Sequence, residues 1–109
     1  MKVLTPGHLY ELDSMEGTNP QRLQFIQKEK NEAGEFVTVQ DGTTNEEVLG
    51  VLRDRLKVLY EKLPSPETAG AIVSVTHALE LLNRRTAIRL EQGVENTPLP
   101  HFSPDELQK

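Results

Sequence analysis

The feature that most constrains this chain is a leucine seam that runs into a proline. Leu49, Leu52, Leu56, Leu59 and Leu63 step by three and four alternately, the spacing that lines one side of a helix, and Pro64 ends the run by withdrawing a backbone donor. Ser65-Pro66-Glu67 restarts it with a capping serine, a proline preset for the first helical position and an acid in the electropositive first turn. The seam resumes as Ile72, Val75, Leu79 and Leu82, and Gln92-Gly93 offers a residue able to take the left-handed closing conformation. The pattern predicts helices over about 44–63 and 66–92, with Thr44 and Glu47 at capping-box spacing at the first start. So short a connection forces the two to lie antiparallel, seam against seam.

Ahead of the helices the period is two rather than 3.6. Pro6-Gly7, Glu16-Gly17-Thr18-Asn19-Pro20 and Asn31-Glu32-Ala33-Gly34 cut the first 40 residues into pieces too short for helices. Strands are expected near 8–13, 22–29 and 35–40, the last two forming a hairpin whose turn is Asn31 to Gly34. The fold class is therefore α+β, a small N-terminal antiparallel sheet followed by a helical hairpin. At 109 residues one domain is the expectation, residues 1–97, with 98–109 a proline-punctuated extended tail. Each helix also carries a second apolar row, Val48, Val51 and Val58 on the first and Ala71, Ala78, Leu81 and Ile88 on the second. Two helices alone cannot cover these rows, so either the small sheet or another copy of the chain must; the second case puts Val51, Val58, Leu81 and Ile88 in contacts between chains.

Composition narrows the chemistry. Seventeen acids against twelve Lys and Arg give a net charge of -5, unsuited to a general nucleic-acid binder held by phosphate neutralisation. There is no Cys, which removes disulfides and thiolate metal sites. No apolar run is long enough for a signal peptide or a membrane span, so a soluble protein that makes no membrane contact is expected. His8, His77 and His101 are scattered, and no phosphate-cradling glycine loop or nucleophile elbow is present. His77 is expected to pack beside the seam, and His8 and His101 to lie on the surface.

The basic residues carry more information. Arg84, Arg85 and Arg89 cluster late in the second helix, and the four-residue spacing of Arg85 and Arg89 puts both on one face. Two readings stay open: cations complementing the negative end of a helix dipole, or two guanidinium forks gripping a phosphate pair. Asp41 to Asn45 are candidate pocket wall, since Gly42 permits close backbone approach and the first N–H groups of a helix favour anions. Phe25, Phe36 and Tyr60 could stack on a base, although aromatics are scarce and the small core needs them first.

Leu23-Gln24-Phe25-Ile26-Gln27-Lys28, the run Val37 to Leu49 with its Asp41-Gly42-Thr43-Thr44-Asn45-Glu46-Glu47, and Leu82-Asn83-Arg84-Arg85-Thr86-Ala87-Ile88-Arg89 together resemble the phage Thoeris anti-defence proteins of the first type. These share a helical hairpin with anti-CBASS sponge proteins. The similarity covers residues 8–97. It implies a protein that performs no catalysis and needs no cofactor or metal. Such a protein holds a cyclic ADP-ribose type nucleotide, chiefly a glycocyclic ADP-ribose isomer, away from its effector in the host bacterial cytoplasm. Cyclic oligonucleotides of CBASS are a further ligand class in the family, and its members assemble as dimers and then hexamers, trimers of dimers. The ligand contacts implied are Arg84, Arg85, Arg89, Phe25, Asp41, Gly42, Thr43, Thr44 and Asn45, with Thr68 just after the hairpin turn. A sponge must outcompete an effector, which calls for a Kd of about 1 nM, near -12 kcal/mol. The rival expectation is an oligomeric adaptor that binds a host protein through exposed helix faces.

Overall fold

The computed structural model describes residues 1–92 of the chain, the side chain of Gln92 excepted. The expected tail, 98–109, lies outside the described residues. The architecture is α+β: five short strands, then two helices. It divides into two compact units, Met1–Thr44 and the residues from Asn45 on.

The first unit holds two small antiparallel sheets where one was expected. Strands β1 (Lys2–Thr5), β2 (Leu9–Leu12) and β3 (Gln21–Gln24) form a meander in that order, and β4 (Gln27–Lys30) pairs with β5 (Phe36–Gln40) as a separate hairpin. β1 precedes every strand expected from the sequence, because Val3-Leu4 is too short to show alternation. Its partner is set by the Pro6-Gly7 turn, in which the His8 N–H donates to the Thr5 carbonyl at 2.9 Å and Gly7 takes φ of 80°. The β4–β5 turn is the expected one: the Gly34 N–H donates to the Asn31 carbonyl at 3.0 Å, and the Asn31 side chain accepts from the Glu35 N–H at 3.0 Å. On the meander, Glu11 sits between Lys2 and Arg22 at 3.8 Å from each, a cross-strand trio too long and too wet to contribute much.

The expected strand 22–29 is broken in the middle. At Phe25 and Ile26 the backbone leaves β2 for a parallel bridge to Thr43: the Thr43 N–H donates to the Gln24 carbonyl at 2.8 Å, and the Ile26 N–H donates to the Thr43 carbonyl at 2.9 Å. Gly42 makes this crossing possible. A Cβ there would lie 2.5 Å from the Gln24 carbonyl oxygen and 2.5 Å from the Phe25 carbonyl carbon, distances only a glycine can tolerate.

In the second unit α1 (Asn45–Lys62) and α2 (Pro66–Gln92) pack on each other. Both helix starts and the end of α1 lie within a residue of the positions read from the sequence; the expected stop at Gly93 lies outside the described residues. Thr44 precedes the first helical residue of α1 and Glu47 is its third, the two positions of a capping box. Ser65 caps α2: its hydroxyl oxygen accepts from the Thr68 N–H at 3.1 Å, and its O–H donates to the Thr68 hydroxyl at 2.9 Å. The connection is only Leu63 to Ser65, and Thr86 near the far end of α2 donates to Glu46 in the first turn of α1 at 2.8 Å, so the helices are antiparallel.

The seams do not meet as expected. All of Ile72, Val75, Leu79 and Leu82 are half-buried or buried, and Leu79, 8% exposed, is the one buried hydrophobic side chain among the described residues. Of the α1 seam only Leu49 and Leu56 are covered to a similar degree. Leu52, Leu59 and Leu63 are 42%, 40% and 79% exposed, next to Val51 at 64% and Val58 at 45%. A run spaced at 3.5 residues drifts around a straight helix of 3.6 per turn, so one neighbour covers only one flank of it. Leu81 and Ile88, expected to be exposed with Val51 and Val58, are half-buried.

Candidate functional site

The candidate residues fall into two groups, one in each unit. In the helical unit Arg84 is exposed, while Arg85 and Arg89 are half-buried and each already has a polar or electrostatic partner. Dipole complementation is confined to the last turn of a helix. It suits Arg89, but Arg85 stands about two turns before the Gln92 end of α2, where the dipole exerts little pull. Arg85 is therefore not explained as a helix-end charge.

Glu46 is the residue that sequence reasoning assigned only to a helix start. Its carboxylate accepts a hydrogen bond from Thr86, the residue between Arg85 and Ala87, across 40 positions of sequence. Antiparallel packing of the two helices creates this meeting, and no local spacing announces it. Thr86, paired to the α1 carboxylate, thus stands on the same two turns of α2 as Arg84, Arg85 and Arg89. A phosphate held there by the arginines would have this carboxylate on the neighbouring helix, so their charge must outweigh it.

Thr68 does not join this group. It lies at the start of α2, 17 residues before Arg85, roughly 25 Å along the helix, and its hydroxyl is engaged with Ser65. Within one chain it belongs to the cap and not to an anion site near the arginines.

In the strand unit Phe25, Gly42 and Thr43 are brought together by the parallel bridge. Phe25 is half-buried, and its ring forms a T-shaped pair with the ring of Tyr10, centroids 6.0 Å apart at 87°. The ring already takes part in packing within this unit. Asp41 is exposed, and its side chain accepts from the Gly42 N–H at 2.9 Å, a local bond that fixes the approach to the bridge. Thr44 and Asn45 are exposed at the junction where α1 begins. The glycine signal was real, but what approaches Gly42 closely is the chain's own backbone at Gln24 to Ile26.

The histidines depart from expectation. His77 is exposed on α2 and not packed beside the seam; His8 is half-buried, its Nδ1 buried without a hydrogen-bond partner. His101 lies outside the described residues. Among the described residues no group of three or more His, Cys, Asp or Glu side chains is placed to hold a metal ion, and no helix is long and apolar enough to cross a membrane. No family model and no curated protein matches the chain.

Proposed function

We propose that this chain is a non-catalytic sponge for a small cyclic anion of the cyclic ADP-ribose type, held through its pyrophosphate by Arg85 and Arg89 in the host bacterial cytoplasm. The observation that carries the reading is the half-burial of those two arginines on one face of α2, with Arg85 at a depth in the helix that its dipole does not account for. Resemblance to the Thoeris anti-defence proteins supplies the ligand class. On a chain of net charge -5, a local basic cluster suits a compact ligand with two phosphates better than a long polyanion. A site of nanomolar affinity also needs walls from more than one element, and the family's pattern of dimers and hexamers would supply them from a second copy.

The test mixes the purified chain with a glycocyclic ADP-ribose isomer, removes unbound material by ultrafiltration, then heats the retained protein and assays what is released. Intact ligand in near-stoichiometric amount is expected. Degraded ligand would make the protein an enzyme, and no retention would leave the adaptor reading in its place. Arg85→Ala and Arg89→Ala, titrated calorimetrically, should each weaken binding at least about tenfold, since a charge-assisted bond to phosphate contributes about 1.5–3 kcal/mol. Unchanged affinity in both would move the site elsewhere.

A further inference from the structure

We infer that Glu46 sets ligand selectivity at the arginine-bearing end of α2: its carboxylate repels each negative charge that a ligand brings, and so turns nucleoside triphosphates away from a site that accepts a ring with two phosphates. The inference rests on the reading of Arg85 and Arg89 as the phosphate-holding pair.

A capping box calls for one acid near the start of α1, and that acid is Glu47, which is exposed. Glu46 stands one residue earlier and differs in burial and direction. It is half-buried, and its Oε2 accepts from the Thr86 hydroxyl of α2 at 2.8 Å. At about 100° and 1.5 Å per residue, Arg89 lies about 60° around α2 from Thr86 and Arg85 about 100°, on the same side and both within one turn. Arg84 lies about 160° away, near the opposite side of the helix. The bond to Thr86 therefore fixes a negative charge close to the two arginines of the pair rather than to the third.

The hydrogen bond itself does not need that charge, since the amide oxygen of a glutamine also accepts from a hydroxyl. What the charge adds is discrimination. Two guanidinium groups alone favour whichever ligand brings the most negative charge, so abundant nucleoside triphosphates would fill the pair ahead of a scarce ring. Arg85 and Arg89 supply the attraction, and Glu46 the repulsion that makes it selective. A fixed carboxylate about 10 Å from the bound phosphates lowers affinity roughly three- to tenfold for each ligand charge, given the dielectric and screening near a protein surface. A ligand with about two more negative charges than the ring is then disfavoured about 10- to 100-fold further.

The experiment titrates the parent and Glu46→Gln calorimetrically with a glycocyclic ADP-ribose isomer, alone and in competition with magnesium-free ATP. Gln keeps the acceptor for Thr86 and removes the charge, so the melting curve should stay close to that of the parent. The ratio of the ATP dissociation constant to that of the ring should fall at least about tenfold in Glu46→Gln, and the difference between the two proteins should shrink as salt is raised. A merely structural role for Glu46 would change both affinities together and leave the ratio where it was. A smaller fall in the ratio, with the ring still bound by the parent, overturns the inference and leaves the sponge reading standing. A parent that does not bind the ring overturns the sponge reading, and the selectivity role goes with it. Should Glu46→Gln fail to fold, Glu46→Leu combined with Thr86→Val, which leaves neither partner unpaired, carries the same comparison.

Discussion

The two units of the molecule are held by different forces. From Met1 to Thr44 no side chain is buried, and the order comes from ladders, turns and the backbone crossing at Gly42. From Asn45 to Gln92 the order comes from side chains along a helical seam, with Leu79 at its centre. Backbone hydrogen bonds are directional and each contributes only about 1 kcal/mol net. Burial is non-directional and larger per group. The strand unit is therefore sensitive to geometry at a point, and the helical unit to volume along a line.

That contrast can be broken by substitution, beginning where the expected effect is largest. Gly42→Ala puts a methyl group into the backbone of Gln24 and Phe25, which cannot swing aside as a side chain would. A loss of about 3 kcal/mol or more is expected. Amide resonances of residues 1–44 should collapse while helical circular dichroism persists, and a spectrum like the parent's would show that the crossing does not hold the unit.

Leu79→Ala removes the centre of the seam. The loss should be about 2–3 kcal/mol, at the low end for a core leucine because its neighbours are half-exposed and can close in. Chemical denaturation followed at 222 nm measures it; a change below about 1 kcal/mol would mean that the hairpin is held from outside α2.

Thr86→Val is the smallest and most local of the three. It deletes the hydrogen bond to Glu46 with little change of shape, for about 1–2 kcal/mol, and should loosen the arginine-bearing end of α2 without touching the strands. Hydrogen exchange confined to that end would sharpen the contrast, and exchange spreading into residues 1–44 would erase it.

The helical half was legible because its signals are local. Pro64, Ser65 and Pro66 act within one turn, and the cap on Thr68 N–H formed where the residue types called for it. The strand half was legible in its turns and not in its pairing. Leu23 to Glu29 alternates well enough to read as one strand, and nothing nearby reveals that Thr43 will draw the backbone aside at Phe25 and Ile26. The site was less legible for the same reason. Arg85 and Arg89 are neighbours by helical geometry and visible at once, whereas Glu46 reaches Thr86 only after two helices have closed on each other. Thr68, expected among the ligand contacts, takes part in the Ser65 cap in this chain, a local bond that its spacing from Ser65 makes legible.

The bridge between Phe25 and Thr43 has one more consequence, for how the chain tolerates insertion. Its two hydrogen bonds pin the feet of the β4–β5 hairpin together, so everything from Gln27 to Asp41 is an excursion that departs and returns at one place. Doubling the length of a closed loop raises its entropic cost by only about 0.6 kcal/mol. Residues added or removed at Asn31 to Gly34 would therefore leave the three-stranded meander and the bridge at Thr43 intact, making this hairpin tip the natural place to graft a tag, a fluorophore or a foreign epitope.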